Sequence, residues 1–379
     1  LIVNTNCAAL QWGMEIFLEA LNFRGADGSK LEKLLDHVER AQLESGFIND
    51  EVSEREANDG MPIAYHAFTL FILTGVVATA GGLSPALAKM RPRVDAILAK
   101  GMRWLMHAAA PDGTFAMTER SSYQMFTWGA WVALLSATSL RDTPLFRQAW
   151  EYWLKYRHSD GSYSCTPNFL AHELRAGFEL YTHVNMYNNL GFTGIVVADR
   201  LIEDSLNGGH RILGLQLPED GVFADPESGY AFFLRGDRFF GCALRMHNRR
   251  YVPALTGFHY RLGGVRFPLA EPKFNGFRAK GEQFLFEGIW EGFLLKDEDN
   301  RYVYPDAQHN AAVERLDDGI RLTLDTEDLN CVKEIRLSER GIRWIYRLTA
   351  KRRFASCAHV LPLLVYDGKE GLRVVEKSQ

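Results

Sequence analysis

Hydrophobic residues recur with the period of an α-helix through the first half of the chain. Between Leu31 and Val38 they stand at positions i, i+3, i+4 and i+7, which places them on one side of a helix. Glycine and proline separate such segments, for example at Gly81-Gly82 and at Pro111-Asp112-Gly113. The pattern therefore predicts a helical region that extends to about Asp204.

A different pattern begins near Gly221, where short runs of β-branched and aromatic residues alternate with turn residues. From Arg321 to Asp325 polar and apolar positions alternate one by one, which is typical of a half-buried strand. Asp317-Asp318-Gly319 predicts a hairpin turn. We therefore predict a multidomain α+β protein, with a helical domain over residues 1–207 and an antiparallel β-sandwich over residues 208–379.

The helical region contains a weak internal repeat of three copies. Each copy has a helix, a glycine turn with an aromatic residue one or two positions later, a polar loop, and an apolar helix that starts with Tyr, His, Asn or Trp. The turns are Ser45-Gly46-Phe47, Asp112-Gly113-Thr114-Phe115 and Asp160-Gly161-Ser162-Tyr163. An outer helix that leads into an inner helix in this way predicts an α/α toroid, in which the inner-helix starts face a common cleft. Ordinary helical hairpins with aromatic cores are the alternative.

The size of this region limits the toroid. About 200 helical residues are too few for a closed ring of roughly six helical pairs, so the toroid is expected to be incomplete or to lack its first helices. The longest apolar run, Ala67 to Ala80, is shorter than the roughly 18 residues that cross a bilayer. It predicts a buried helix rather than membrane insertion.

The glycine turns followed by tyrosines resemble the α/α toroid of polysaccharide lyases, especially the heparinase II/III-like group. The motifs are Pro-Asp-Gly-Thr-Phe at 111–115 and Ser-Asp-Gly-Ser-Tyr at 159–163, and the segment from Asp225 to Asp237 is similar to the start of the β domain in that group. The resemblance implies a lyase that cleaves a uronate-containing polysaccharide by β-elimination. It also implies secretion or a periplasmic location, which the first residues of the chain do not reveal.

Members of that group often carry a His-x-His-x-Asp run, tied to a metal, soon after the β domain begins. This chain has Met246-His247-Asn248-Arg249-Arg250 there. We therefore expect neither a metal nor another cofactor.

Elimination at a uronate requires three chemical functions. A side chain such as Asn, Gln, His or Arg neutralises the carboxylate, a base removes the C5 proton, and an acid protonates the departing C4 oxygen. We predict that Asn58 neutralises the carboxylate, that His183 and Tyr187 transfer the protons, and that His66 assists. His183 and Tyr187 are four residues apart and share one helix face. For His66 a position in the core is an equal alternative.

The remaining aromatic and amide residues at the inner-helix starts are candidates for sugar contacts. On the third inner helix, three of them form a second face, and only one of the two faces can point fully into a cleft. The candidates are Tyr123, Trp128, Tyr181, Asn185 and Asn188.

Charge is distributed unevenly along the chain. The whole chain has a formal charge of −4, which argues against a nucleic-acid partner, but the segment from Arg235 to Lys280 has ten basic and two acidic residues. We expect this segment to meet an anionic polysaccharide or oligosaccharide, with Arg245, His247 and Arg249 as contacts. A solvated face balanced by acids elsewhere is the alternative, and the oligomeric state stays open.

Other functions on the same toroid stay open. A glycoside hydrolase needs two carboxylates across the scissile bond, an epimerase could use two histidines, and a binding protein would use the aromatic residues without chemistry. Candidate carboxylates for hydrolysis are Asp50, Glu51, Asp59, Glu119 and Glu179. No nucleophile elbow, phosphate loop or zinc-protease motif occurs, and the five cysteines form no CxxC pair.

Overall fold

In the part of the chain that the structure describes, all helices precede the strands. The computed structural model describes residues 4–50, 63–114, 116, 124–165, 184–206, 213–244, 258–262, 265–267, 278–279, 282–283, 292–299, 301–303, 312–338 and 341–360. The helices in these ranges are α1 (Thr5–Ala20), α2 (Gly28–Ala41), α3 (Ile63–Ala80), α4 (Pro85–His107), α5 (Met125–Ser136), α6 (Pro144–Trp153) and α7 (Val184–Leu206). Short 3₁₀ helices cover Ser139–Asp142 and Leu154–Tyr156.

The helices lie in two rows. In the inner row α1 contacts α3, α3 contacts α5, and α7 lies against both α5 and α3. The outer helices α2, α4 and α6 each contact the inner helix that precedes them. Helix α2 is amphipathic, as its sequence predicts, and buries Leu31 and Val38. Helices α3 and α5 are apolar on all sides, which is typical of helices within a core.

Helix α3 contains the apolar run at 67–80. Among the described residues it alone has the length and hydropathy that a bilayer would require, and most of it is buried inside the protein. The predicted buried helix is therefore confirmed.

The internal repeat is present in the backbone hydrogen bonds. At the end of α2, Leu43 N–H donates to Phe47 O (2.8 Å), Gly46 N–H donates to Leu43 O (3.0 Å), and Asn49 N–H donates to Ala41 O (2.9 Å). The same three bonds recur after α4 and after the 3₁₀ turn that follows α6, with Ala110 and His158 in place of Leu43. Each outer helix thus ends in the same small hairpin before the chain turns to the next inner helix.

The glycine of each hairpin has a backbone conformation that other residues rarely adopt. Its φ is +111° at Gly46, +82° at Gly113 and +88° at Gly161. The first two hairpins also touch the outer helix of the next copy: a Cβ at Gly46 would lie 2.4 Å from Lys100 O in α4, and one at Gly113 would lie 2.4 Å from Ala149 N in α6. Glycine is therefore required both for the turn and for the contact between copies.

The strands pair only with antiparallel neighbours in the part of the chain that is described. The first sheet has the order β1-β2-β3-β4-β5 and the second has β10-β11-β12-β13; smaller sheets are β14-β8-β9 and β6-β7. The strands are β1 (Gly221–Asp225), β2 (Tyr230–Arg235), β3 (Arg238–Ala243), β4 (Phe258–Leu262), β5 (Val265–Phe267), β6 (Arg278–Ala279), β7 (Glu282–Gln283), β8 (Gly292–Lys296), β9 (Tyr302–Val303), β10 (Ala312–Arg315), β11 (Gly319–Asp325), β12 (Leu329–Ser338), β13 (Gly341–Ala350) and β14 (Ser356–Val360). The predicted α+β class with antiparallel sheets is confirmed, whereas a toroid stays a prediction.

The first sheet lies between the helices and the second sheet. Because successive side chains of a strand point to opposite faces, Phe232 joins the apolar core of the helices and Phe233 joins a cluster with Ile320 and Ile335 of the second sheet. The main core therefore extends from the helices into the strands. The division into separate domains at residues 207 and 208 stays a prediction.

Buried hydrogen bonds between described residues attach the first sheet to the helices. The indole Nε1 of Trp104 in α4 donates to Asp225 Oδ2 (2.7 Å), and the amide of Ile63 at the start of α3 donates to the Tyr230 hydroxyl (2.9 Å). Both bonds are buried. They set the position of the α3 start relative to the strands.

Candidate functional site

Aromatic rings from three inner helices meet at the helix N-termini. The ring of Phe126 in α5 lies between Tyr65 of α3, at a centroid distance of 6.4 Å, and Tyr187 of α7, at 4.9 Å. All three residues belong to the first turn of their helices. Phe126 is buried and both tyrosines are half-buried. We call Tyr65, Phe126 and Tyr187 the aromatic row.

The chain path explains why these N-termini meet. An outer helix returns the chain after α3 and after α5, so the next inner helix runs in the same direction and starts at the same end. The first turns of α3, α5 and α7 contain no acidic residue. By contrast, Asp50 Oδ1 accepts the Asn6 amide (2.8 Å) in the first turn of α1. The positive ends of three helix dipoles thus lie at the aromatic row without a first-turn carboxylate, which favours an anion there.

The third hairpin holds the starts of α5 and α7 together. Met125 N–H donates to Cys165 O (2.8 Å), and the side-chain amide of Asn188 donates from Nδ2 to Tyr163 O (2.9 Å). Asn188, a predicted sugar contact, is thus tied to the hairpin through its nitrogen. Its Oδ1 is buried and has no hydrogen-bond partner among the described residues.

Gln124 stands immediately before α5 and was missed by the sequence reasoning. Its carbonyl oxygen accepts the amides of Thr127 (3.0 Å) and Trp128 (3.3 Å), but its side chain makes no capping hydrogen bond. The side chain is fully buried. A glutamine directly beside Tyr123 at an inner-helix start was the available signal, because Gln is one of the residue types that neutralise a carboxylate. Tyr65 and Phe126 were likewise not singled out as site residues.

His66 faces the core instead of the aromatic row. It is 0% exposed, the Ile48 amide donates to its Nδ1 (3.0 Å), and its Nε2 lies 3.2 Å from Gly101 O. Nε2 therefore carries the proton of a neutral imidazole. Burial lowers the pKa of His66 to about 3, against smaller opposing effects of Gly101 and Asp225. This geometry corrects the expectation that His66 assists proton transfer: it fits the alternative of a core histidine.

Trp128 is also a core residue. Its indole is 0% exposed and stacks on the ring of Tyr152 at a centroid distance of 3.9 Å. A sugar cannot reach a face that another ring already covers. The expectation of a sugar contact at Trp128 is therefore corrected to a role in packing α5 against α6.

The other predicted site residues fall into two groups. Tyr187 lies in the aromatic row, and the backbone of Asn185 belongs to the first turn of α7, although its side chain is not among the described atoms. The remaining candidates stay predictions because they lie outside the described residues: Asn58, Tyr123, Tyr181, His183, Arg245, His247 and Arg249.

The carboxylates proposed for hydrolysis are not assembled in the described part of the chain. Asp50 is 1% exposed and accepts hydrogen bonds from Asn6 and Asn4 at the start of α1. Glu51, Asp59, Glu119 and Glu179 lie outside the described residues. Within the described ranges, no three His, Cys, Asp or Glu residues are grouped so that they could hold a metal ion.

Comparisons with known proteins give a distant structural similarity. No protein-family model and no curated protein matches the chain. Among solved structures, a Paenibacillus xanthan lyase is similar to it, with 11% sequence identity and a TM-score of 0.21. The match covers 89% of this chain and 41% of the xanthan lyase chain, so this chain spans less than half the length of that protein. The heparinase II/III-like relation stays a prediction.

Proposed function

We propose that this protein is a polysaccharide lyase that cleaves a uronate-containing polysaccharide or oligosaccharide by β-elimination. One observation carries the proposal: two half-buried tyrosines and a phenylalanine form an aromatic row at three helix N-termini that lack first-turn carboxylates. Aromatic rings provide stacking surfaces for sugars. Helix N-termini stabilise a carboxylate and the negative charge that develops on it in the transition state.

The proposed chemistry assigns the proton transfers to Tyr187 and His183. Tyr187 supports this role because its ring lies at one end of the aromatic row. Asn58 is the proposed group that neutralises the carboxylate. Arg245, His247 and Arg249, together with the basic segment around them, are proposed to meet the anionic polymer, and the proposed location is secreted or periplasmic.

Observations on two residues make the alternatives weaker. Hydrolysis would require a pair of carboxylates, and Asp50 already accepts hydrogen bonds at the start of α1. An epimerase that used two histidines would need a second exchangeable imidazole, and His66 is buried and neutral. Neither observation bears on a purely carbohydrate-binding protein, which the following experiment separates from a lyase.

The test is a screen of uronic-acid polysaccharides for new ultraviolet absorbance. Elimination creates a C4–C5 double bond that absorbs, whereas hydrolysis, epimerisation and binding do not. Tyr187→Phe removes only a hydroxyl and should lower kcat by about 10²-fold or more, because general acid–base groups typically contribute that much. The protein should still fold.

The matched control is Tyr346→Phe, which removes a hydroxyl from strand β13 of the second sheet and should leave turnover unchanged. Full turnover of Tyr187→Phe with an unchanged melting temperature would show that Tyr187 has no catalytic role. Activity without any unsaturated product would reject the lyase reaction itself.

A further inference from the structure

Immediately before α5 lies a buried carboxamide that has no hydrogen-bond partner among the described residues. Gln124 is 0% exposed, and neither its Oε1 nor its Nε2 has a partner in the part of the chain that is described. Nearly all buried polar groups in native proteins are paired, so one that is not requires an explanation. A second glutamine shows the usual arrangement: Nε2 of Gln42 donates to Gly46 O (3.1 Å) and Ile97 O (3.0 Å).

A second unsatisfied amide oxygen lies on the helix packed against this point. Asn188 Oδ1 in α7 is buried without a partner among the described residues, and its Nδ2 is held by Tyr163 O. The starts of α5 and α7 are in close contact, since a Cβ at Gly191 would lie 3.0 Å from Met125 O. Gln124 precedes Met125, and Asn188 lies about one turn before Gly191. Both amides therefore belong to the α5–α7 junction, beside the Phe126–Tyr187 ring pair.

The chemistry of the two amides defines what they would bind. Gln124 Nε2 requires an acceptor, whereas Gln124 Oε1 and Asn188 Oδ1 require donors. A helix N-terminus favours an anionic acceptor. Sulfate alone would not satisfy the two carbonyl oxygens, because it has no hydrogen to donate at neutral pH. A uronic acid carries a carboxylate and several hydroxyls on one ring and satisfies all three groups.

We infer that Gln124 and Asn188 form a subsite for a single uronate residue. Gln124 Nε2 donates to the carboxylate, and the two carbonyl oxygens accept from ring hydroxyls. This inference rests on the proposed function for its substrate class. The half-buried tyrosines make the aromatic row reachable from solvent. A glutamine side chain has three rotatable bonds. A change of rotamer therefore brings the Gln124 amide to a sugar at the aromatic row, where the amide is no longer buried without a partner. His66 and Trp128 differ from Gln124 in this respect, because the His66 ring is already hydrogen-bonded and the Trp128 ring is already stacked on Tyr152.

The test is Gln124→Met, which keeps the length of the side chain and removes the amide. Binding of tetrasaccharides of hyaluronan, oligomannuronate and oligogalacturonate is measured by calorimetry, with cellotetraose as the neutral comparison. We expect at least one uronate to bind the wild type and the variant to bind it roughly tenfold more weakly or worse, the loss expected for a hydrogen bond to a charged group. Its melting temperature should be equal or higher, because an unpaired buried amide is removed. If the wild type consumes the probe, both proteins are compared in the Tyr187→Phe background.

Gln42→Met is the matched control. Because it removes two partly buried hydrogen bonds, it should lower the melting temperature and leave the uronate affinity unchanged. If Gln124→Met fails to fold, Gln124→Glu keeps the shape, adds a negative charge and should repel the uronate but not the neutral sugar. Unchanged uronate affinity in the folded Gln124 variant, or a wild type that binds none of the uronates, overturns the subsite.

The subsite and the lyase reaction can fail separately. If the wild type binds a uronate through Gln124 but forms no unsaturated product, the subsite stands and the lyase proposal is rejected. If the wild type forms unsaturated product and Gln124→Met binds normally, the lyase proposal stands and the subsite is rejected.

Discussion

The imidazole of His66 joins three parts of the helical core. It accepts a hydrogen bond from the Ile48 amide of the first hairpin and donates one to Gly101 O of α4. It also stacks on the ring of Phe47 at a centroid distance of 4.9 Å. A neutral ring satisfies both bonds, whereas a protonated one would lose its acceptor for the Ile48 amide. The consequence is a dependence of stability on pH.

We predict that His66→Gln reduces this pH dependence. The folded-state pKa of His66 is about 3 and the ordinary value is 6.5, so the unfolded chain binds the proton first as the pH falls. Above pH 6.5 neutral His66 makes its full contribution to the free energy of unfolding. As the pH falls from 6.5 toward 3, the free energy of unfolding decreases by at most about 5 kcal/mol from this group. Glutamine can accept from Ile48 and donate to Gly101 without titrating.

Urea unfolding of both proteins across this pH range measures the effect. The pKa values of His37 and His107 are also lowered by burial, but both residues are present in the wild type and the variant and cancel in the difference. The free energy of unfolding should fall more steeply with acid in the wild type than in His66→Gln. Parallel curves would contradict a neutral His66.

At the scale of the element, α5 and α7 cross at glycines. A Cβ at Gly129 would lie 2.2 Å from Gly191 O, and one at Gly194 would lie 2.3 Å from the carbonyl carbon of Gly129. Real side-chain carbons do not approach a backbone so closely, so the two backbones touch only because these positions lack side chains. Because the two backbones touch here, the rings of Phe126 in α5 and Tyr187 in α7 can pack against each other.

We predict that Gly129→Ala destabilises the protein by at least about 2 kcal/mol, because a methyl group cannot fit between two backbones without separating the helices. Gly75→Ala in α3 is the matched control. Its Cβ would lie 3.7 Å from Val197 Cγ2, an ordinary contact, and alanine favours a helix over glycine by up to about 1 kcal/mol.

Melting temperatures of the two variants separate steric overlap from helix propensity. Gly75→Ala should match or exceed the wild type, whereas Gly129→Ala should fall clearly below it. If both variants melted at the same temperature as the wild type, the close crossing of α5 and α7 would be wrong.

At the scale of the whole molecule, helices and strands share one core. Tyr230 and Phe232 of the first sheet pack with Trp104 of α4, at ring distances of 5.6 and 5.5 Å, and the opposite face of this sheet packs on the second sheet. The Ile63–Tyr230 hydrogen bond adds a polar link to the helix that carries Tyr65. Helical and strand regions should therefore unfold together.

We predict that Tyr230→Phe lowers the stability of the whole protein by about 1–2 kcal/mol, because it removes a buried hydrogen-bond acceptor while keeping the ring. Circular dichroism should show helix and strand signals that melt in one transition, at a lower temperature than in the wild type. Tyr346→Phe serves as the comparison, since its hydroxyl lies in the second sheet. A separate transition of the helices in the wild type would contradict the shared core.

Local sequence patterns were enough to predict the helices, the strands and the repeated glycine turns. The spacing of hydrophobic residues that distinguishes helix α2 from strand β11 is a local property of the sequence. The need for glycine at Gly46, Gly113 and Gly161 is also local, because a positive φ depends on the side chain of a single residue. The predicted order of helices and strands, the buried α3 and the three glycine hairpins could therefore be confirmed.

Contacts between distant parts of the chain determine which polar and aromatic residues belong to the core and which lie at the helix ends. His66 and Tyr65 are neighbours in sequence, yet one faces Gly101 and the other faces Phe126. Phe126 and Trp128 show the same division. Phe126 lies in the aromatic row, whereas the indole of Trp128 is covered by Tyr152 in the core. Whether the Gln124 side chain is buried, and whether it has hydrogen-bond partners, also depends on chain segments that pack around it. Burial and pairing arise from contacts between residues distant in sequence, which no local pattern contains.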